Sequence, residues 1–432
     1  MLITEMSIII ILMIFLFLIG MPIAFVLAGA GIVGILFHHG VPGLYQFAYQ
    51  FWHNGGNFLL ICIPLFIHIA VVLEKGKVGY MLFDVAAKWL RGLPGGLGVS
   101  TVGASALFSA LSGTSVATAA TVGLIAYPEM TARGYPKRIT MGILSAGGGL
   151  GMLIPPSVPL IVYGAITGES IGKLFIAGIG PGILLAVLYA LMVVFRALRG
   201  DINVVEPKAT WKEKIDSIKK AIWGLALIPI MIGGLYAGFF TPTEAGAVGL
   251  VLAVLVVSAI YRTLNLKELV STLGTAMRTS VMIYTIILGA GLFSYMMTLY
   301  GIPTLVTEWV LNMKISPIGV ILMLNLVLLI LGCFLEVTAL MLMTVPMLYP
   351  IVTGLGFDGV WFGIVLMVNF NMAVETPPVG LNLYVLKGID PDLPLAEIIK
   401  GVIPFYFCEI LGLLLVIFFP VLSLWLVRLM PG

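Results

Sequence analysis

Long apolar runs, separated by short polar or charged segments, occupy most of the chain. A helix that spans the hydrocarbon core of a bilayer needs about 20 apolar residues. Ten runs predict membrane helices, at roughly 3–20, 22–37, 57–73, 139–165, 174–197, 222–240, 242–262, 280–298, 361–385 and 402–428. This pattern predicts an all-α integral membrane protein that crosses the bilayer many times.

Two further apolar stretches, 97–127 and 319–349, are interrupted in the middle by Gly, Ser, Thr or Pro. Each has about 30 residues, which at 1.5 Å per residue gives two arms of about 22 Å. Such arms are too short for two full crossings. Each stretch is therefore predicted to be a re-entrant hairpin.

The chain resembles itself after a shift of 222 positions. Tyr127-Pro128 then falls on Tyr349-Pro350, and Pro155-Pro156 falls on Pro377-Pro378, without a gap. Each half would hold five crossings and one hairpin. Because five is odd, the second repeat is predicted to be inverted relative to the first. Inverted repeats with helix breaks at corresponding positions are typical of secondary transporters.

The first repeat is placed at 1–200, a polar connector at 201–221 and the second repeat at 222–432. The alternating charges of the connector and its Trp211 allow a helix on the inner membrane surface. With the N-terminus outside, 19 of the 22 basic residues fall in inner loops. The positive-inside rule then predicts a periplasmic N-terminus, with the first hairpin opening from the cytoplasm and the second from the outside.

Composition excludes several other classes of protein. Charged residues make up 9% of the chain, whereas soluble domains carry about 25%. The net charge of +3 and the lack of a basic patch interleaved with aromatics argue against nucleic-acid binding. Cys62, Cys333 and Cys408 show no metal-ligand spacing. No ATP-binding motif is present, so an ion gradient or another chain must supply the energy.

Four breaks interrupt the apolar segments, at Ser109–Ser115, Gly147–Pro156, Gly332–Thr338 and Glu375–Pro378. Unwound backbone at membrane depth survives only where it is buried in protein or lines a cavity. It offers carbonyl and hydroxyl oxygens to Na⁺, and half-helix N-termini that attract carboxylates. Ordinary kinks are the alternative, but four breaks at repeat-related positions favour an ion and substrate site.

Some polar side chains at these breaks are candidate ligands. Ser109 and Ser112 are spaced i, i+3, so their hydroxyls can face one site; the alternative is bonding to carbonyls of their own helix. Glu336 and Glu375 lie in apolar stretches, where a charge costs about 2.5–3.5 kcal/mol. They either contact a cation or substrate or line a water-filled vestibule.

These segments resemble the large membrane subunit of tripartite ATP-independent periplasmic (TRAP) transporters. The matching stretches are Ser109–Leu124, Gly134–Lys137, Gly147–Ile176, Phe240–Leu250 and Thr376–Ile389. The resemblance covers essentially the whole chain, and the two proline pairs are its more specific elements.

The resemblance implies an elevator-type ion-transporter-like fold, whose mobile domain carries an organic acid with about two Na⁺ ions and uses no organic cofactor. It implies a small four-helix membrane subunit, expected as a separate chain, and a periplasmic substrate-binding protein. It also implies location in the bacterial inner membrane.

The residues that this resemblance assigns are as follows. The first sodium site would fall on Ser109, Ser112, Gly151, Ile154 and Pro156. The second would fall on Gly332, Ala373, Thr376 and Pro378. A shift of the first site by 222 positions reproduces three of these four. Substrate contacts are expected at Gly113, Thr114, Ser115, Ser157, Thr338 and Asn382.

The substrate stays open among sialic acid, C4-dicarboxylates and other small carboxylates. One alternative function is a standalone sodium/carboxylate symporter that needs no binding protein. An alternative of another class is a membrane enzyme or assembly scaffold, which would need a cluster of ionisable residues within the membrane. The scattered Glu336, Glu375, Glu409 and His68 do not supply that cluster.

Overall fold

The computed structural model describes residues 2–202, 204, 207–312 and 315–430. Within these ranges the chain is helical and contains no β-strand. Its α-helices are α1 (Leu2–Leu18), α2 (Ile23–His39), α3 (Leu44–Gly55), α4 (Cys62–Lys75), α5 (Val78–Leu90), α6 (Gly96–Ser112), α7 (Ser115–Ala132), α8 (Lys137–Gly149), α9 (Val158–Thr167), α10 (Ile171–Leu198), α11 (Trp211–Tyr236), α12 (Pro242–Leu255), α13 (Leu266–Leu299), α14 (Ile302–Asn312), α15 (Pro317–Gly332), α16 (Val337–Gly354), α17 (Gly359–Ala373), α18 (Leu381–Ile389), α19 (Leu395–Phe418) and α20 (Val421–Arg428).

All four predicted breaks are confirmed as interruptions of helix. The first hairpin consists of α6 and α7, and the second hairpin of α15 and α16. The first broken helix consists of α8 and α9, with the 3₁₀ turn Leu150–Met152 between them, and the second broken helix of α17 and α18. In both broken helices the bond between the paired prolines is cis.

The hairpin arms are longer than the sequence predicted. They contain 17 and 18 residues in the first hairpin and 16 and 18 in the second, or about 24–27 Å at 1.5 Å per residue. The second arms continue beyond the predicted ends, because Pro128 and Pro350 are accommodated inside α7 and α16. The re-entrant depth of the hairpins stays a prediction.

Seven helical stretches among the described residues are long and apolar enough to cross a membrane: Phe58–Lys75, Ile171–Leu198, Trp211–Tyr236, Pro242–Ile260, Leu266–Leu299, Val337–Gly354 and Leu395–Phe418. Six of them correspond to predicted crossings, and the other is α16. Of the remaining predicted crossings, two are the 17-residue helices α1 and α2. The last two are the broken helices.

Within the predicted connector, the residues from Trp211 onward form the first turns of α11, and the boundaries of the repeats stay a prediction. A capping box starts this helix. Thr210 Oγ1 accepts a hydrogen bond from the Glu213 amide at 3.3 Å, and the Glu213 carboxylate accepts one from the Thr210 amide at 2.7 Å. Since each side chain satisfies an end amide of the helix, α11 begins in the polar segment and not at the membrane run.

The two hairpins end in the same way, at positions 222 apart. Gly134 and Gly356 follow α7 and α16, and both have φ of +87°, a left-handed conformation that favours glycine at a helix C-terminus. Thr131 and Thr353 each donate a hydrogen bond to the carbonyl four residues earlier, at 2.8 and 2.9 Å. The sequence repeat is therefore matched by local geometry, whereas the inverted orientation of the repeats stays a prediction.

The helices pack in two groups. In one group, α13 packs along α2 and α4, α12 packs against α4, and α11 packs against α5. The other group contains the hairpins, the broken helices, α10 and α19. There α7 contacts α8 and α18, while α16 contacts α9 and α17. Because each hairpin touches the broken helices of both repeats, the four breaks lie close together.

Candidate functional site

A cavity of about 450 Å³ lies between the hairpin tips and the first group of helices. On one side its lining includes Ser112, Thr114, Ser115, Glu336 and Thr338 from the two hairpin tips. The facing wall comes from α4 and α13: Ile67, Ala70, Val71, Glu74, Thr275, Thr279, Met282 and Ile283. Much of the lining is apolar, and several of its polar side chains come from the hairpin tips. The structure thus gathers four of the predicted ion and substrate residues around one cavity.

Hydroxyl groups cluster at the tip of the first hairpin. The Oγ of Ser112 lies 2.7 Å from Oγ1 of Thr118, which also donates a 2.9 Å hydrogen bond to the carbonyl of Thr114. Ser109 is fully buried, and its Oγ has no hydrogen-bond partner among the described residues. Burying a hydroxyl without a partner costs about 1–3 kcal/mol. The orphaned oxygen of Ser109 is therefore suited to a cation ligand.

The backbone of the first hairpin tip lies directly against the first break. Gly113 has φ of +65°, and its carbonyl accepts a 3.0 Å hydrogen bond from the amide of Val158. A Cβ atom on Gly113 would lie 2.5 Å from the carbonyl oxygen of Pro156, and one on Gly151 would lie 2.4 Å from that of Thr114. Only glycine allows these contacts, which bring several carbonyl oxygens to the turn near Ser109 and Ser112. Ile154, also predicted as a ligand, lies in the same break, with its amide bonded to the Leu150 carbonyl at 2.9 Å.

The second hairpin and the second break meet in a similar way. A Cβ atom on Gly332 would lie 2.5 Å from the Cβ of Ala373, so α15 and α17 approach closely at these two predicted ligands. Thr376 donates from Oγ1 to the Met372 carbonyl at 2.7 Å, and this bond leaves lone pairs on the hydroxyl oxygen. The Cys333 carbonyl accepts a 3.1 Å hydrogen bond from the amide of Val379.

Two predicted site residues already take part in hydrogen bonds within the second group. Ser157 is fully buried; its Oγ donates to the Met152 carbonyl at 2.6 Å and caps α9. The carbonyl of Pro378 accepts a 3.3 Å hydrogen bond from Oη of Tyr384. Ser157 therefore has a structural role as a helix cap in this conformation.

Glu336 is the N-cap of α16. Its carboxylate accepts hydrogen bonds from the Ala339 amide at 3.0 Å and from Oγ1 of Thr338 at 2.9 Å. An anion is stabilised at a helix N-terminus. Glu336 thus lines the cavity, and its carboxylate is hydrogen-bonded within the second hairpin. The sequence reasoning missed this cap, although Glu followed by an apolar helix is a possible signal for it.

Glu375 is fully buried, so the vestibule interpretation is wrong for this residue. Its polar neighbours include Ser145 and Asn382. A second buried carboxylate, Glu409, accepts a 2.8 Å hydrogen bond from Oη of Tyr189 and a 3.2 Å hydrogen bond from Nδ2 of Asn371. The sequence reasoning named Glu409 only as a scattered acid and did not predict this polar cluster.

The ends of the hairpins are tied to the opposite repeat. Asp390, after α18, accepts hydrogen bonds from Tyr127 of α7 and from Lys137 of α8, the latter at 2.7 Å. The hydrogen bond from Lys137, followed by that from Tyr127, lowers the pKa of Asp390 to about 2. In the second repeat, Tyr349 of α16 donates to Glu169, after α9, at 2.6 Å. Each hairpin is thus anchored to an acid that follows the broken helix of the other repeat.

Comparison with known proteins identifies the family of this chain. The profile of the family described as "Tripartite ATP-independent periplasmic transporter, DctM component" matches residues 10–422. The chain belongs to this family. It is similar to the C4-dicarboxylate TRAP transporter large permease protein DctM of Pseudomonas aeruginosa, with 38% identity over 87% of this chain and 88% of that protein. It is also similar to the sialic acid TRAP transporter large permease protein SiaM of Vibrio cholerae, with 32% identity over 96% of each chain.

A solved structure supports the fold. The YdaH transporter of Alcanivorax borkumensis, described as having an unusual topology, superposes with a TM-score of 0.61 over 90% of both chains, at 15% sequence identity. At that identity the likeness concerns the fold alone. The resemblance to the TRAP large subunit is confirmed, and the chain is a multi-pass membrane component of a transporter, not an enzyme.

The facing wall of the cavity was not predicted. Glu74, Thr275 and Thr279 come from α4 and α13, which carry no Gly or Pro break at these positions. Thr118 was likewise missed, although it lies only six positions after Ser112, in the first turn of α7. Glu74, Thr275 and Thr279 become recognisable only when the two groups of helices are packed together, whereas Thr118 becomes recognisable once the first hairpin has formed.

Proposed function

We propose that this chain is the sodium-coupled permease subunit of a TRAP transporter that imports a small organic acid. The single observation that carries the proposal is the cavity shared by both hairpin tips, with the buried, orphaned Ser109 hydroxyl behind it. Membership of the family supports the transport function. The hydroxyl and carbonyl oxygens at the tip of the first hairpin support the coupling of transport to a cation.

The first hairpin would hold one Na⁺ ion. Ser109 and Ser112 supply hydroxyl oxygens, and the close backbone contacts of Gly113 and Gly151 supply carbonyls around them. Unwound carbonyls coordinate Na⁺ in transporters built from broken helices. A second ion near Gly332, Ala373 and Thr376 is supported by the same close approach of hairpin and broken helix.

The substrate would bind in the cavity between the two groups of helices. The N-termini of α7 and α9 reach its wall at Ser115 and Val158, and helix N-termini attract carboxylates. Similar permeases are named for C4-dicarboxylates and for sialic acid, which supports a small carboxylate. Thr114, Ser115 and Thr338 are the proposed polar contacts.

Movement of the second group of helices against the first would carry the cavity across the bilayer, as in an elevator. The grouping of the helices supports this mechanism, with contacts between the two groups where α5 packs against α6 and α13 packs against α16. Two Na⁺ ions entering with a monoanion move one net charge, which contributes about 2.3 kcal/mol per 100 mV. Tenfold gradients add about 1.4 kcal/mol for each ion. The total of about 5 kcal/mol would support accumulation by a few thousandfold.

The proposed partners are a small four-helix membrane subunit and a periplasmic binding protein, with the complex in the bacterial inner membrane. The test is uptake into proteoliposomes that contain this chain and its small subunit, with and without the binding protein, under an inward Na⁺ gradient. Uptake that requires both Na⁺ and the binding protein is expected. Sodium-driven uptake without the binding protein would instead identify a standalone symporter, and uptake unaffected by Na⁺ would overturn the coupling.

A further inference from the structure

A pocket of about 240 Å³ lies where the end of α5 meets the start of α11, and it shares no lining residue with the cavity of the proposed transport site. Its lining is Lys88, Trp89, Gly92, Leu93, Lys208, Ala209 and Lys214. The positive-inside orientation proposed above places this pocket at the cytoplasmic face.

Trp89 lines this pocket, and a second tryptophan, Trp211, packs against it. The rings of Trp89 and Trp211 meet edge to face, 6.2 Å apart, and are 41% and 71% exposed. Large exposed indole rings are enriched at membrane–water interfaces, where one part of the ring meets lipid and the other meets water. This exposed tryptophan pair is the arrangement expected at the depth of lipid headgroups.

Both lysine side chains of the α11 region pack on neighbouring residues. Nζ of Lys214 lies 5.5 Å from the ring centroid of Trp89 and 4.9 Å from that of Trp211. The stem of Lys208 lies on Gly92, where a Cβ atom would approach its Cγ to 2.9 Å. Glycine at this turn thus lets the chain before α11 pack against the end of α5.

The pocket carries an excess of positive charge. The acids beside it are already engaged: Asp84 pairs with Lys88 at 2.7 Å, and Glu213 caps α11 and reaches Arg91 at 3.4 Å. Neither Lys208 nor Lys214 forms an ion pair with a carboxylate of the described part of the chain. Two cations beside an interfacial tryptophan pair suit a phosphate group.

We propose that this pocket binds the headgroup of an anionic phospholipid, with Lys208 and Lys214 on the phosphate and Trp89 and Trp211 against the glycerol and upper acyl region. Basic pockets on the cytoplasmic side of membrane proteins bind anionic headgroups in this way. The site lies at the turn that joins α5, of the first group of helices, to the first hairpin. A bound lipid would therefore hold α5 and α11 together at this turn.

The test is binding of phosphatidylglycerol to the purified full-length chain in phosphatidylcholine nanodiscs at low ionic strength. An attraction of about 1 kcal/mol per lysine corresponds to about fivefold in affinity. Lys208→Gln/Lys214→Gln is expected to weaken binding by about 25-fold, and the charge-conserving Lys208→Arg/Lys214→Arg to retain most of it. Lys219→Gln/Lys220→Gln removes the same charge from the exposed side of α11 outside the pocket and should leave affinity nearly unchanged.

Three results would overturn the proposal. Equal losses in both Gln variants would indicate diffuse attraction, and equal binding of phosphatidylcholine would exclude selection by charge. Glycerol 3-phosphate that binds as tightly as the lipid would indicate a site for soluble anions. None of these measurements requires transport, so the proposal stands or fails separately from the proposed function.

Discussion

The hydroxyl of Ser115 donates a 2.9 Å hydrogen bond to Oδ1 of Asn382, 267 positions further along the chain. This bond joins the tip of the first hairpin to the second broken helix, and Nδ2 of Asn382 donates a further hydrogen bond to the Ser145 carbonyl at 3.4 Å. Both residues are fully or almost fully buried. The two repeats are thus linked through a hydrogen bond at the proposed site.

Asn382→Ala is expected to reduce uptake at least tenfold. The change leaves the buried hydroxyl of Ser115 without its acceptor, which costs roughly 1–3 kcal/mol and loosens the hairpin tip. Asn382→Asp retains an acceptor oxygen and should lose less. Initial uptake rates and thermal unfolding of the three proteins test this expectation, and wild-type uptake by Asn382→Ala would contradict it.

Ser112→Ala is expected to lower the apparent affinity for Na⁺, measured in uptake, at least tenfold. The substitution removes a proposed sodium ligand and the hydrogen-bond partner of Thr118. Ser100→Ala on the same helix is the matched control, since that buried hydroxyl bonds only to the Gly96 carbonyl at 2.7 Å among the described residues. Sodium titrations of uptake distinguish the two variants. An unchanged titration for a well-folded Ser112→Ala protein would remove Ser112 from the site.

Gly151→Ala is expected to impair folding and abolish sodium-coupled uptake, because the new Cβ would lie 2.4 Å from the Thr114 carbonyl oxygen. Overpacking of this kind typically costs 1–3 kcal/mol. Gly388→Ala is the control, since a Cβ there meets nothing within 4 Å. Thermal unfolding and uptake should separate the variants, and equal behaviour would mean that the first hairpin tip can move away from the break.

Asp390 makes stability depend on pH at the acidic end. Its pKa is lowered to about 2 in the folded chain, chiefly by the hydrogen bond from Lys137, against about 3.9 in an unfolded chain. The ionised carboxylate of Asp390 therefore contributes fully to the free energy of unfolding above a pH of about 4. This contribution is lost as the pH falls toward about 2. Asp390→Asn should lower the unfolding temperature at pH 7 and flatten its dependence on pH between about 4 and 2. The same slope in both proteins would contradict the assignment.

The sequence located the breaks well because glycine and proline act locally. Gly113 adopts positive φ at the first break, which other residues rarely do, and the proline pairs interrupt the broken helices whatever surrounds them. The ends of the helices were less accurate. Pro128 and Pro350 lie inside α7 and α16, since packing against the broken helices outweighs the local cost of a proline.

The roles of the acidic residues were the least predictable part of the site. In the sequence, Glu336 and Glu375 are equivalent charges in apolar segments. In the structure Glu336 caps a helix at the cavity, whereas Glu375 is buried near Asn382 and Glu409. Whether a side chain is buried depends on which distant helix packs over it. The residue type alone therefore does not predict its burial.

By itself the sequence determined the all-α membrane architecture, the repeat, the four breaks and the family, because hydrophobic length and backbone-breaking residues act over short distances. The tertiary structure alone decided which oxygens share the cavity, that α4 and α13 form its facing wall, and that Ser115 bonds to Asn382. Those relationships join residues up to hundreds of positions apart, and only tertiary packing, within the second group and between the two groups of helices, brings them into contact.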